Sequence, residues 1–302
     1  MIKIFDENTA KLIWDSTIIE LSNYTYYQSF ENAMVQKGDD NIRFVSSVDG
    51  EKKIYGFLII FDDYVKFPFG PVLSESIDYN DLMEFIYEVG KSFNKDVVFS
   101  TTEKIENDIY EHYPFLEKNW LFITPLIDTT LSIEQIMANC NENRRRIIRK
   151  GFINIPSECL KDGIEYADDF YKLYQKRMNE IGIGTDFTKE SLVRHLSFPS
   201  NKLIVCSKDN KIIAGHVIYK FGDTVITRYN CYDTDYAKIS PAARIEFDVI
   251  KRCCENVNVN NYDMSGLSCD KNITPKDMGV NRYKESYGPT KIRRYQWYKY
   301  KI

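Results

Sequence analysis

The run Asn261-Tyr-Asp-Met-Ser-Gly266 and, shortly after it, Met278-Gly-Val-Asn-Arg-Tyr-Lys-Glu-Ser-Tyr-Gly-Pro289 decide how this chain is read. The first reads as the end of a buried strand entering a Ser/Gly turn. The second reads as a polar loop in which one lysine, Lys284, stands between Tyr283 and Tyr287, closed by Gly288-Pro289. Gly279 and Gly288 would let the backbone turn sharply and approach a ligand closely. An ammonium framed by aromatic rings is partly desolvated, so its field on a nearby oxyanion exceeds that in open water. The plainer alternative is a surface lysine lying across two tyrosines.

Outward from this stretch the chain carries one series of elements twice. Residues 9–15 and 26–36 read as helices, the second stopped by Gly38. Residues 42–48 and 53–61 read as strands joined across Asp49-Gly50, a hairpin signal, and a third strand enters at Val65 and breaks at Pro68. Residues 79–93 space Leu82, Phe85, Ile86 and Val89 as a helix does, and 97–100 and 120–127 read as strands. The second series begins with a helix over 132–151 and helices over 166–181 and 189–196. It continues with a hairpin of 202–206 and 211–221 across Asp209-Asn210, then a strand over 224–232. A helix opening at Ser240-Pro241 and strands at 261–263 and 292–300 complete it. Hairpin falls on hairpin at an offset of roughly 160 residues, too long for a solenoid and right for a duplicated domain.

The order Tyr-Asp-x-Ser-Gly, a loop, then Gly-x-x-Arg-Tyr-Lys-x-x-Tyr-Gly resembles the C-terminal signature of the Fem family, shared with related acyltransferases of the GNAT superfamily. Fem proteins are aminoacyl-tRNA-dependent peptidyltransferases that build peptidoglycan cross-bridges. Here Tyr283-Lys284 stands where the family has Phe-Lys. Upstream, Tyr27-Gln-Ser-Phe30 is similar to the family's Gln-Ser/Thr-aromatic opening. Phe67-Pro-Phe-Gly-Pro-Val72 is similar to its Pro-x-Gly-Pro-Val turn, with Phe69 in place of the usual basic residue. Asn143-Arg-Arg-Arg-Ile-Ile-Arg-Lys-Gly151 is similar to its Arg-x-x-Ile-Arg-Lys helix end. The resemblance implies an α/β fold of the α+β type. It would hold tandem duplicated GNAT-like domains, each a mixed, largely antiparallel sheet flanked by helices, over residues 1–130 and 131–302, with the active site in the second. No long charged insertion lies between residues 166 and 200, so the coiled-coil arm of some Fem members is absent.

Composition sets the outer bounds. The 302 residues suffice for about two ordinary domains. With 43% hydrophobic and 28% charged residues and a net charge of −4, any nucleic-acid contact needs a local basic patch. No apolar run approaches a membrane span and the N-terminus lacks a signal-peptide core, so the expected location is the cytoplasm. The 7 cysteines show no Cys-x-x-Cys spacing, and the 3 histidines, His112, His195 and His216, stand far apart. Neither a metal site nor a Ser-His-Asp triad is expected.

Chemistry concentrates in the second half. Ser240-Pro241 would open a helix whose free N–H groups face outward, where GNAT enzymes cradle a cofactor pyrophosphate. Residues 235–243 lack the glycines of the usual acetyl-CoA loop, as Fem proteins do. The cations of residues 144–150 would end a helix, and Arg145 and Arg149, four apart, share a face able to meet phosphates. The tail alternates Lys291, Arg293, Arg294, Lys299 and Lys301 with Tyr295, Trp297, Tyr298 and Tyr300, either a solvated strand face or an RNA-contacting one. Asp263 would cap the following turn rather than act as a base.

The expected reaction is acyl transfer to an amine. The resemblance implies an aminoacyl-tRNA donor, no tightly bound cofactor, and an acceptor amine on a peptidoglycan precursor or related surface glycan. Lys284 would stabilise the oxyanion, and Arg228, Tyr229 and Asn230 would line the acyl pocket. Tyr283, Tyr287 and Gly288 would complete the substrate contacts. The alternatives are an acyl-CoA-dependent transferase acting on an amino sugar, and a tandem GNAT module that binds without turnover.

Overall fold

Gly50, Asp209 and Asn210 all hold positive φ, the backbone that tight hairpin turns demand. Around those turns the two hairpins form. The computed structural model describes residues 2–37, 41–101, 103–114, 116–182, 184, 187–269 and 273–302; Gly38, expected to stop a helix, lies outside them. The chain forms two units. The first gathers Met1–Ile123, Ser268–Ile273 and Arg293–Ile302, and the second gathers Thr124–Leu267 and Thr274–Ile292. A single cut at residue 130 does not describe this division, because the C-terminal strand returns to the first unit.

The first half of the chain runs β1 (Lys3–Phe5), α1 (Glu7–Ile18), α2 (Phe30–Gln36), β2 (Ile42–Asp49), β3 (Lys52–Ile60), β4 (Tyr64–Lys66), β5 (Val72–Leu73), α3 (Tyr79–Phe93), β6 (Asp96–Thr101), α4 (Glu103–His112) and β7 (Glu117–Asp128). The second runs α5 (Ile133–Asn139), α6 (Glu142–Asn154), β8 (Leu160–Asp162), α7 (Ala167–Glu180), α8 (Lys189–Leu196), β9 (Asn201–Lys208), β10 (Lys211–Phe221), β11 (Thr224–Tyr232), α9 (Pro241–Cys254), β12 (Asn261–Asp263), α10 (Pro275–Glu285) and β13 (Lys291–Tyr300). The hairpin β2–β3 corresponds to β9–β10, α3 to α9, and β6 to β12. In each unit the third meander strand pairs in parallel with the strand after the helix over three residues, β4 with β6 and β11 with β12. The strand after the helix then pairs with the last strand of the other half. The C-terminal part of β13 lies antiparallel to β6, and residues 126–128 of β7 lie antiparallel to β12.

In the first unit, Gln28 explains two of the sequence resemblances at once. Its Nε2 donates to Pro68 O at 2.7 Å, and its Oε1 accepts from Phe57 N at 2.8 Å. A Cβ on Gly70 would meet the Gln28 side chain at 2.7 Å. Phe69 packs among Tyr27, Phe122, Tyr295 and Trp297, with centroids 4.2 to 5.3 Å away. The residue that replaces the family's basic side chain is therefore built into an aromatic cluster.

The second unit departs from expectation at three places. The helix expected over 132–151 is two helices, α5 and α6, separated at Cys140 and capped anew by the Asn141 side chain on Arg144 N at 2.8 Å. The basic run therefore occupies the N-terminal and middle turns of α6, not its end. The loop expected over 279–288 is mostly helix α10, capped by Thr274 with Pro275 in its first turn. Gly288, at φ +67°, does make a close approach, but to protein: a Cβ there would stand 2.1 Å from Asn139 O. Gly182 has the same φ and nothing within 4 Å of a Cβ. Gly288→Ala should thus lower stability by more than the ~1 kcal/mol that positive φ alone costs, and Gly182→Ala by about that amount. Paired chemical denaturation of the two variants measures the difference; equal losses would contradict the Asn139 contact.

Candidate active site

β11 and β12 hydrogen-bond over residues 224–226 and 261–263 and no further. β11 continues to Tyr232, while the chain beyond Asp263 turns away through Ser265 at φ +62°. The Asp263 carboxylate accepts from Ser265 N at 2.7 Å, the turn-capping role expected of it. Where the strands part there is a cavity of about 510 Å³. Its walls come from β10, β11, α9 and α10, among them His216, Arg228, Asn230, Glu246, Tyr283 and Lys284. A β-bulge shapes the β11 wall: Val217 faces Tyr229 and Ile218 faces Thr227, leaving Arg228 as the extra residue. Thr227 and Arg228 can therefore both line the cavity, which strict alternation would forbid.

Lys284 enters from the last turn of α10, where a cation suits the helix dipole. Its Nζ donates to Gly266 O at 2.5 Å, tying the ammonium to the backbone just past the strand divergence. Burial disfavours the charged form and lowers its pKa to about 8, while the Asp263 and Glu246 carboxylates pull it back up. Beside it lies a polar cluster in an otherwise apolar core. Glu246 is 2% exposed and accepts from Tyr262 OH at 2.7 Å and from Tyr283 OH at 3.3 Å. His216 Nδ1 stands 3.8 Å from the same carboxylate, and its Nε2 bonds the Thr227 hydroxyl. Burial lowers the pKa of His216 and holds the imidazole neutral, outweighing the pull of Glu246. Tyr262 and Tyr283 are raised well above the ordinary tyrosine value, first by burial and then by Glu246, so both remain hydroxyl donors.

A second cavity, about 450 Å³, shares Tyr232, Ala242 and Tyr283 with the first. Arg144, Arg146 and Lys150 of α6 line it, together with Ser240, Pro241, Ala242 and Ala243 at the N-terminus of α9. Ser240 sits at φ +61° and caps nothing with its side chain. Gly151 lets α6 lie against this corner, since a Cβ there would already stand 3.1 Å from Arg244 Cβ and Ser240 O. Cations in the N-terminal half of α6 oppose that helix's own dipole, so capping does not account for them.

The structure brings together Lys284, Arg228, Asn230 and Tyr283 around the first cavity and separates the other expected residues from it. Tyr229 points to the opposite sheet face, stacked on Phe187 at 3.7 Å. Tyr287 is buried in the core, its ring 5.4 Å from that of Tyr283. The cation over those two rings is Arg144, at 4.4 and 4.7 Å, not Lys284. Arg145 Nη1 donates to Ala138 O and Cys140 O, satisfying the end of α5. Arg149 is exposed and lines neither cavity; the cations four apart that line the second cavity are Arg146 and Lys150, each one residue further along. Sequence reasoning missed Glu246, which sits beside the apolar Ile245 and Phe247, and no local signal marks it as buried. Among the described residues no group of three His, Cys, Asp or Glu side chains is placed to hold a metal ion, and no helix is long and apolar enough to cross a membrane.

Residues 137–285, which carry both cavities, match the acetyltransferase (GNAT) domain family. The second unit is an acyltransferase domain of the GNAT superfamily. Across the whole chain, the GNAT fold is shared with the crystal structure of FemX, at TM-score 0.74 and 10% identity over 100% of this chain and 97% of that one. It is shared with the C-terminal domain of an assigned lysylphosphatidylglycerol synthetase from Agrobacterium fabrum, at TM-score 0.61 and 13% identity over 96% and 91%. A tandem GNAT protein from the clavulanic acid biosynthesis pathway matches at 0.55 and 7% identity over 100% and 98%. No curated protein matches the sequence. The expectation of tandem GNAT-like units and of a GNAT-superfamily acyltransferase stands, and the fold is the one that FemX has.

In a GNAT acyltransferase, negative charge grows on the carbonyl oxygen only as the amine attacks, so a cation placed there acts mainly in the transition state. Lys284→Ala should lower kcat by ~100–1000-fold with a far smaller change in KM. Lys291, in an exposed pair 3.0 Å from Asp128, is the control and should lose less than about fivefold. Steady-state kinetics on both folded variants provide the check; equal behaviour would remove the Lys284 charge from the chemistry.

Proposed function

We propose that the protein transfers an aminoacyl group from aminoacyl-tRNA to a primary amine on a peptidoglycan precursor or related surface glycan. The observation that carries this reading is the pairing of two adjoining cavities with different chemistry. One holds a partly buried ammonium, Lys284, beside space for an acyl group. The other joins three cations to an uncapped helix N-terminus, a setting for phosphate. A donor whose phosphate lay in the second cavity would present its acyl carbonyl to the first. The neutral amine then attacks the ester carbonyl, Lys284 stabilises the oxyanion, and the ester C–O bond breaks as the proton lost by the amine passes to the departing tRNA oxygen, with no covalent enzyme intermediate. No tightly bound cofactor is needed.

The choice of tRNA over coenzyme A rests on the chain before α9. Thr234–Ile239 forms a 3-10 turn with no glycine, where wrapping a pyrophosphate with backbone would call for several. The acyl-CoA reading is favoured by the family match itself. Purified protein offered bulk charged tRNA and acetyl-CoA in separate reactions, with a lysine-bearing peptidoglycan precursor as acceptor and product mass as readout, separates them. RNase-sensitive aminoacylation is expected; acetylation with acetyl-CoA alone would overturn the donor assignment, and precursor binding without turnover would leave a binding module. Arg146→Ala with Lys150→Ala should weaken tRNA binding by about tenfold and reduce its salt slope by up to ~2. Unchanged affinity and slope would remove the second cavity from donor binding.

A further inference from the structure

Glu246 is a buried charge that oxyanion stabilisation by Lys284 leaves unused. It lines the 510 Å³ cavity at 2% exposure. Among the described residues its only ion-pair contact is His216, which burial holds neutral. Lys284, on the same cavity, is bonded to Gly266 instead. The Lys284 ammonium feels the field of this carboxylate without pairing with it, and hydroxyl donors on both oxygens hold the carboxylate in place. Ala214, Gly215, Ile245 and Met264 line the cavity without charge, Arg177, Arg228, Lys276 and Lys284 give it cations, and Glu246 is the one carboxylate among its described lining residues. In such surroundings an ammonium bound to the carboxylate is held strongly, and a ligand lacking one leaves the charge unpaired.

We propose that Glu246, fixed by Tyr262 and Tyr283, is the anionic end of a subsite for the primary ammonium of an amino-acid-derived acyl group. The inference rests on the aminoacyl-transfer reading and names what the enzyme recognises in the acyl unit. The acyl amine takes no part in bond making and can stay protonated during transfer, whereas the acceptor amine must be neutral to attack and gains little from a carboxylate. A plain acetyl group carries no ammonium and is excluded by the same residue.

Small amides test this without any tRNA, so failure of charged tRNA as donor and failure of the subsite are read separately. Glycinamide and L-alaninamide, and their hydroxyl counterparts glycolamide and L-lactamide, are titrated at neutral pH into the full chain and followed by NMR. The wild type should prefer the amino over the hydroxy amides by about 10-fold. In Glu246→Gln that preference should fall below about 2-fold, with binding of the hydroxy amides unchanged. A preference that survives in Glu246→Gln, or is missing from the wild type, overturns the proposal. So does a Glu246-dependent affinity for Nα-acetyl-L-lysinamide, whose amine lies on a side chain as an acceptor's would. If Glu246→Gln does not fold, Glu246→Asp withdraws the charge by one methylene; a preference cut at least ~3-fold supports the subsite and an unchanged one overturns it.

Discussion

Three residue pairs hold β11 to β12, and the divergence that follows them creates the site. Parallel pairing supplies backbone partners only while two strands run side by side, so a strand that turns away leaves groups to be satisfied otherwise. Here the Asp263 side chain takes Ser265 N, and Gly266 O receives the Lys284 ammonium. The same contact that satisfies a carbonyl at the strand exit fixes the cation at the cavity. The bulge at Arg228 acts on the opposite wall, turning two consecutive residues of β11 into the opening.

Electrostatics inside this cavity are a balance of burial against two carboxylates. Burial lowers the pKa of Lys284 toward neutrality, and Asp263 and Glu246 limit the fall. The result is an ammonium that is charged at pH 7 and less screened than one in water. Tyr262 and Tyr283 keep their protons for the same reason that Lys284 gives its proton up more readily: burial favours the neutral form of each. The hydroxyls can therefore donate to Glu246 across the whole physiological range.

Much of the fold was legible because its signals are local. Asp49-Gly50 and Asp209-Asn210 specify hairpins within a few residues, and the apolar spacing of α3 specifies its buried face. The repeat of that order is what made duplication visible. α10 reads as a loop in the sequence because none of its side chains is fully buried and it lacks apolar periodicity. Its start was nonetheless written in Thr274-Pro275 and Asp277, a capping pattern that outweighs the glycine at 279. The exchange of last strands is not legible in sequence, since β7 and β13 carry continuous buried runs, which do not specify a neighbour. In the site, Lys284 was legible from motif and Glu246 was not. The burial of Glu246 depends on Tyr262 and Tyr283, 16 and 37 residues away. That Arg145 and Arg149 line neither cavity while Arg146 and Lys150 line the second has a similar origin: spacing of four identifies a helix face, and only the packing of α6 against α9 decides which face meets the cavity.

The central claim is that the diverging strands hold Lys284 as a partly desolvated ammonium at the cavity wall. Titration of the lysine ε-carbon resonances by NMR, with Lys284→Ala identifying the signal, measures this directly. Because burial lowers the folded-state pKa, the charged form should be complete below neutrality and lost as pH rises through about 8. A Lys284 resonance that titrates with the other lysines, near the free value of ~10.4, would place the ammonium in open solvent and contradict the account.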